Sequence, residues 1–493
     1  MKENAVTLKL ALLPCILLIV LLVINVWLFG DEATSGPCQV ALLISSIIGG
    51  IIGHTKLGLS YRDIEKKAIH SIVLAMEAII ILLIVGATIA LWIQGGIVPT
   101  VIYYGVKILT TKSFPIVACI ICSIVSLAIG SSWSTMGTIG VALMGIGKAL
   151  GYSEPLIAGA IISGAYLGDK MSPLSDTTNL APAVSGTNLF VHVKNMLNTT
   201  VPSYIITLIV FLVIGLLYNA GNQDIHQTDA IIKGLEQNFT IHWAFFAVPI
   251  TVIFLAMRKT PAIPALTIGC ILGGILSFIF QNGTPKELSQ LPIFVSQNYQ
   301  RIIHVAYHGY VLQSGIPVLD DLLSTGGMEK MFSTISLIIM AMLFGGVMEA
   351  TGMLQKIAET MLHYVHSAGQ LMASTVVTCV IFNVFAAEQY LAIIIPGRMF
   401  RASYVARDLD MRNLSRVLED GATVTSVLVP WNTCGAFASS VLGVSTFHYL
   451  PFCFFNWITP LISIFMSLIN YNIIPAKPQE KEDINAQSTN QQS

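Results

Sequence analysis

Residues 163–183 read SGAYLGDKMSPLSDTTNLAPA. Asp169, Lys170, Ser172, Ser175, Asp176, Thr177, Thr178 and Asn179 fall within 11 residues, with Pro173 among them. The sequence on either side is apolar. Proline removes a helix hydrogen bond and disfavours helix in the residue before it. A helix entering this segment should therefore unwind near Pro173 and expose carbonyl oxygens. Non-helical backbone at membrane depth survives only where protein or a water-filled cavity surrounds it. The stretch thus reads as an interrupted helix at a buried polar site.

The surroundings carry the membrane argument. Of 493 residues, 54% are hydrophobic and 10% charged, against about 25% charged in a soluble domain. The mean hydropathy is +0.76. Apolar runs near helix-spanning length recur at 8–29, 68–93, 114–130, 202–218, 261–280, 331–350 and 371–395. Each is long enough to cross, or nearly cross, a hydrocarbon core of roughly 30 Å. The expected fold is an all-α polytopic membrane protein with about 10–13 transmembrane segments. It occupies residues 1–474, and a polar, disordered tail follows at 475–493. Residues 8–29 are too long for a signal-peptide core and read as the first anchor. No basic stripe suggests nucleic acid. Cys119 and Cys122, on an apolar segment, read as packing residues rather than a redox or metal pair. His304/His308 and His363/His366 lack further ligands beside them and read as polar helix-end residues.

Lys and Arg set the orientation. Residues 54–70, with Lys56, Arg62, Lys66 and Lys67, and residues 398–416, with five arginines, should be cytoplasmic. Residues 30–37 and the mostly acidic 219–241 should lie outside, and Arg258 and Lys259 mark a return. A second polar segment, 418–436, reads LEDGATVTSVLVPWNTCGA. Shifting the chain by 257 residues lays 163–186 over 420–443 with six identities in 24, including Pro173 on Pro430; roughly two would be expected by chance. The charge bias mostly reverses between the halves. Residues 40–218 and 300–470 therefore read as two inverted repeats, a plan that puts the transport site at the repeat interface. Short amphipathic pieces such as 97–109 are expected to lie in the interface.

Facing broken helices would bring Ser175, Asp176 and Thr177 close to Asn432 and Thr433. Two flanking patches add polar groups: GSSWSTMGTIG at 130–140 and NVFAAEQYLAIIIPGR at 383–398, the latter with Glu388 and Gln389. Carboxylates, hydroxyls, amides and freed carbonyls are oxygen ligands, which hard cations prefer. A carboxylate within the bilayer is by default a functional hypothesis, and burial disfavours its ionised form. Such a group holds a proton or a sodium ion, but not both, and that competition suffices for exchange. Asp176 is the first candidate carrier. Asp169 is the second, with Lys170 as its ion-pair partner or, alternatively, as an anchor for an anionic substrate. Sodium would be held at Asp176, Ser175, Thr177, Asn432 and Thr433. Ser172, Asn179, Glu388 and Asp420 complete the transport candidates. Glu419 and Asp420 also fit a plain helix end, and Glu77, Trp133 and Trp431 read as packing residues. No HExxH motif or Ser/His pairing points to an enzyme.

These segments resemble the NhaC-type sodium/proton antiporter family. The resemblance rests on SGAYLGDKMSPLSDTTNLAP, LEDGATVTSVLVPWNTCGAF, EQYLAIIIPGRMFR and GSSWSTMGTIG, and covers roughly residues 40–470. It implies a bacterial cytoplasmic-membrane antiporter of two inverted halves, exchanging Na+ for H+ without a cofactor, embedded in lipid. It leaves a homodimer open. The family also resembles sodium-linked malate/lactate exchangers, so a Na+/H+-coupled organic-anion antiporter is the alternative. Two departures stand out: Glu388 where Asp is expected, and Val427 and Val429 in place of a TSPLIPWNT-like pattern.

Overall fold

The computed structural model describes residues 6–218, 222–280, 294–363 and 365–476. Past residue 476 the expected polar tail lies outside them. Among the described residues the regular elements are helices, and β-pairing is confined to two isolated bridges. Seven helices are long and apolar enough to span a membrane, or nine if each of two bent pairs counts as one span. Among the described residues three shorter apolar helices, Ile97–Ile108, Phe114–Ile129 and Thr433–Leu442, fall below that length. Phe114–Ile129 is only 16 residues long. The run 371–395 is cut in two at Ala387, whose φ is +57°. Pro37–Thr55 is a span that run-counting passed over, because Gln39, Ser45 and Ser46 interrupt its apolar pattern. Within 219–241, Asn222–Asn238 is helical, and 219–221 lie outside the described residues.

The helices that build the site are α1 (Phe114–Ile129), α2 (Glu154–Met171), α3 (Asp176–Ser185) and α4 (Leu189–Leu217) in the first half. In the second half they are α5 (Ala368–Phe385), α6 (Gln389–Val405), α7 (Met411–Leu418), α8 (Thr433–Leu442) and α9 (Phe454–Leu468). Thr433 opens α8 257 residues after Asp176 opens α3, and both helices are 10 residues long. Each ends on a left-handed glycine, Gly186 and Gly443. Gly130 and Ala387, the same distance apart, both have positive φ and both precede an N-cap, Ser131 and Glu388.

Two packing features hold the site in place. α2 lies against α1 through Gly164 and Gly168, where an added Cβ would strike the α1 backbone at Cys119 and at Ser126. This is the small-residue close approach typical of membrane helices. Ser126 Oγ then donates to Ala165 O at 2.6 Å. α4 is polar inside and apolar outside. His192, Asn195, Thr199, Ser203 and Thr207 are buried, while Leu197, Val201, Ile205, Ile209 and Leu216 are exposed. Such a helix would be unstable in water and suits a lipid-facing position whose inner face meets a polar interior.

Candidate ion-exchange site

Asp169 and Lys170 end α2 side by side, and successive helical residues diverge by about 100° around the axis. They cannot share one partner, and the expected Asp169–Lys170 ion pair does not form. Asp169 accepts hydrogen bonds from Ser132 Oγ at 2.5 Å and Ser175 Oγ at 2.6 Å. Lys170 instead reaches Asp420 Oδ1 at 2.5 Å, with both side chains fully buried. Asp420 also accepts from Thr199 Oγ1 at 3.0 Å and Ser463 Oγ at 2.7 Å. It is thereby the counter-charge of Lys170. Arg416, counted with the cytoplasmic arginines, is fully buried beside it.

The break at Pro173 forms as expected, but its carbonyls are occupied. Thr178 Oγ1 donates to Asp169 O at 2.9 Å and Lys170 O at 2.8 Å. Asn179 Nδ2 donates to Pro173 O at 2.9 Å and Ser175 O at 2.7 Å. Ser172 Oγ donates to Leu127 O at 2.8 Å. Asn179 and Ser172 therefore fasten the turn. In the second half Asn432 does the same: its Oδ1 accepts from Cys434 N at 3.0 Å and its Nδ2 donates to Asn383 O at 3.1 Å.

The remaining candidates converge. Asp169, Ser175, Asp176, Thr177, Glu388 and Thr433 line one cavity of about 130 Å3. Asp169 and Glu388 are 6% and 5% exposed, whereas Asp176 is exposed at its mouth. Thr433 Oγ1 donates to Glu388 Oε2 at 2.7 Å, so each buried carboxylate takes a hydroxyl from the first turn or N-cap of a hairpin helix. The amino ends of α3, α6 and α8 all border this cavity. The positive ends of these helices favour negative charge and offset part of the cost of ionised carboxylates there, and Tyr390 N donates directly to Glu388 Oε1 at 3.2 Å. Trp133 stacks on Phe437 across the two halves, 4.1 Å between ring centroids, and Trp431 Nε1 donates to Val384 O at 2.7 Å.

Asp176, Pro173 and Asn179 also face a wider cavity of about 530 Å3 that reaches Lys259 and Thr260. Pro430 borders a different one, of about 540 Å3, together with Ser35, Glu154 and Lys330. Glu77, read as a packing residue, is exposed and lines the first of these. Ser132 was visible in the hydroxyl-rich 130–140 segment, yet nothing in its spacing singled it out as a partner of Asp169. Outside the site, Asp320 accepts from Ser314 N and Oγ, both at 2.6 Å, which hold its carboxyl below the usual carboxylate range.

Comparison with known proteins bears on the chemistry. Residues 164–470 match the Na+/H+ antiporter family model. The chain is 39% identical to the malate-2H(+)/Na(+)-lactate antiporter of Bacillus subtilis over 86% of its length and 87% of that protein. It is 38% identical to the Na(+)/H(+) antiporter NhaC of Alkalihalophilus pseudofirmus, covering 89% and 90%. It is also 34% identical to the arginine/ornithine antiporter ArcD of Halobacterium salinarum, covering 97% and 95%.

Proposed function

This chain belongs to the Na+/H+ antiporter family, and on that premise we propose that Asp169 and Glu388 are its ion-exchanging carboxylates. It is a multi-pass protein of the cytoplasmic membrane and a transporter of Na+ and H+. One observation carries the residue assignment: two buried carboxylates, one from each half, line a single small cavity, each bound by a hydroxyl of a hairpin helix start. Asp169 in its protonated form is neutral and suits the apolar surroundings. When a sodium ion replaces the proton, the ionised Asp169 and the oxygens of Ser132 and Ser175 are hard ligands for it. Glu388 and Thr433 offer the same chemistry from the other half. Asp176, being exposed, becomes an access residue at the cavity mouth, with Thr177 behind it. The order of the two aspartates is thus the reverse of the one read from sequence.

We read the halves as inverted repeats and the two larger cavities as access routes from opposite sides. The recurrence of helix starts, positive-φ positions and proline breaks at one offset supports this. So does the presence of Lys259 in one cavity and of Ser35, from a loop without Lys or Arg, in the other, where Glu154 and Lys330 add no net charge, given that basic loops stay cytoplasmic.

The test is purified protein in lipid vesicles containing a pH dye. Added sodium should drive proton movement without any organic ion. Proton movement only in the presence of malate, lactate or arginine would transfer the assignment to the organic-ion exchangers that the chain also resembles. A channel would show flux indifferent to the opposing gradient.

A further inference from the structure

The exchange cavity opens towards Lys259. It shares Glu77, Gly130, Ser131 and Asp176 with the wider cavity on that side, so the two are continuous. The cavity beside Ser35 shares no lining residue with it. α8 stands between them. Its first residues, Thr433 and Cys434, line the exchange cavity, whereas Ala436, Ser439 and Ser440 line the cavity beside Ser35. On the same helix Phe437 is fully buried, and its ring is stacked on Trp133 with the planes 14° apart. Trp133 comes from the short helix Ser132–Thr135 of the first half and itself lines the exchange cavity. The stack therefore joins the two halves along the wall that separates the exchange cavity from the Ser35 side. Such a ring pair adds attraction beyond its burial.

Both ends of α8 are built as hinges. The helix follows the break at Pro430, where Val429 is extended. It ends on Gly443, φ +72°, where nothing lies within 4 Å of an added Cβ. A few residues at element ends suffice to absorb the backbone change of a rigid-body movement. The offset of 257 residues that relates α3 to α8 also relates Trp133 to Tyr390 and Leu180 to Phe437. Tyr390, on the first turn of α6, is 40% exposed and lines the exchange cavity. Leu180, on α3, is half-buried. Of the two equivalent rings, one is packed in a stack and the other is exposed at the open cavity.

We propose that the Trp133–Phe437 stack is the closed gate of the exchange cavity on the Ser35 side, and that Tyr390 closing on Leu180 is its counterpart on the Lys259 side. The two gates alternate. Parting of the stack as α8 moves opens the site towards Ser35, and Tyr390 then covers it from Lys259. The inference rests on reading the halves as inverted repeats and the two larger cavities as access routes from opposite sides.

The experiment places a reporter cysteine at Ser131, which lines the exchange cavity and the cavity beyond it, in the full chain with the eight native cysteines replaced. An impermeant thiol reagent is added to intact cells, on the Ser35 side, and the labelling rate is measured. Trp133→Ala should raise that rate by roughly tenfold, the most that one aromatic pair supplies. Trp133→Phe, which can restack, should label close to the unmodified rate. Tyr390→Ala should lower the rate, because the site then spends longer facing Lys259. Unchanged labelling in Trp133→Ala and Tyr390→Ala, or a change in the same direction in both, would overturn the proposal. Should Trp133→Ala fail to insert, Phe437→Leu carries the same expectation. In vesicles, Trp133→Cys with Phe437→Cys, joined by a reducible bifunctional thiol reagent, should stop exchange until the link is reduced; undiminished exchange in the linked protein would also overturn the gate. Labelling needs no transport, so a lack of sodium-driven proton movement in the unmodified protein would sink the sodium/proton reading while the labelling still decides the gate.

Discussion

Lys170 Nζ lies 2.5 Å from Asp420 Oδ1, with both side chains fully buried and 250 residues apart in the chain. The pair ties the end of α2 to the start of a π-helical turn, Glu419–Thr423, of the other half. Breaking a buried pair by removing one partner strands the other, at about 3–5 kcal/mol. Asp420→Asn should therefore lower the melting temperature of the solubilised protein clearly. Replacing both groups, Lys170→Met with Asp420→Leu, should recover a large part of that loss. A double variant no more stable than either single one would show that the pair is not an independent unit.

Asp169→Asn preserves shape and cannot ionise. Sodium-driven proton movement in vesicles should cease while insertion remains normal. Asp176→Asn, at the exposed mouth, should retain exchange with weaker apparent sodium affinity. Loss of exchange in Asp176→Asn with exchange intact in Asp169→Asn would restore the order read from the sequence.

Competition of one proton with one sodium ion fixes a slope. Below the pH at which the carboxylate ionises, apparent sodium affinity should fall about tenfold per pH unit; above it the affinity should level off. Half-maximal sodium concentrations measured across a pH series give this directly. A flat series would exclude a shared site.

Ser175→Ala and Thr433→Val each remove a hydroxyl bonded to a buried carboxylate. Such charge-assisted bonds contribute roughly 1.5–3 kcal/mol. Apparent sodium affinity should weaken by about tenfold or more in each, with maximal rate less affected. Unchanged affinity in both variants would remove the hairpin starts from the site.

Orientation can be read by labelling single cysteines in a background cleared of the eight native ones. A cysteine at Ser35, which is exposed, should react with an impermeant reagent added to intact cells; one at Lys259, also exposed, should not. Labelling of both from the same side would contradict the two-sided reading of the larger cavities.

Much of the molecule was legible in the chain. A chain so poor in charge belongs in the bilayer, and its apolar runs near 20 residues are the length of spanning helices rather than barrel strands, since backbone groups in lipid must be paired internally. Pro173 and Pro430 marked their breaks because proline cannot continue a helix hydrogen-bond ladder. The clustering of Asp169, Asp176, Ser175 and Thr433 around those breaks was visible for the same local reason.

What only the tertiary structure decided was the assignment of partners. Local reading paired Lys170 with its neighbour Asp169, but helix geometry turns the two side chains apart, and the better counter-charge came from 250 residues away. The freed carbonyls expected to bind an ion were taken by Thr178 and Asn179, because a buried acceptor is satisfied by whichever donor packing brings near. Exposure separated Asp176 from Asp169. Spacing along the chain cannot reveal these differences, since burial and long-range pairing depend on how the two halves meet.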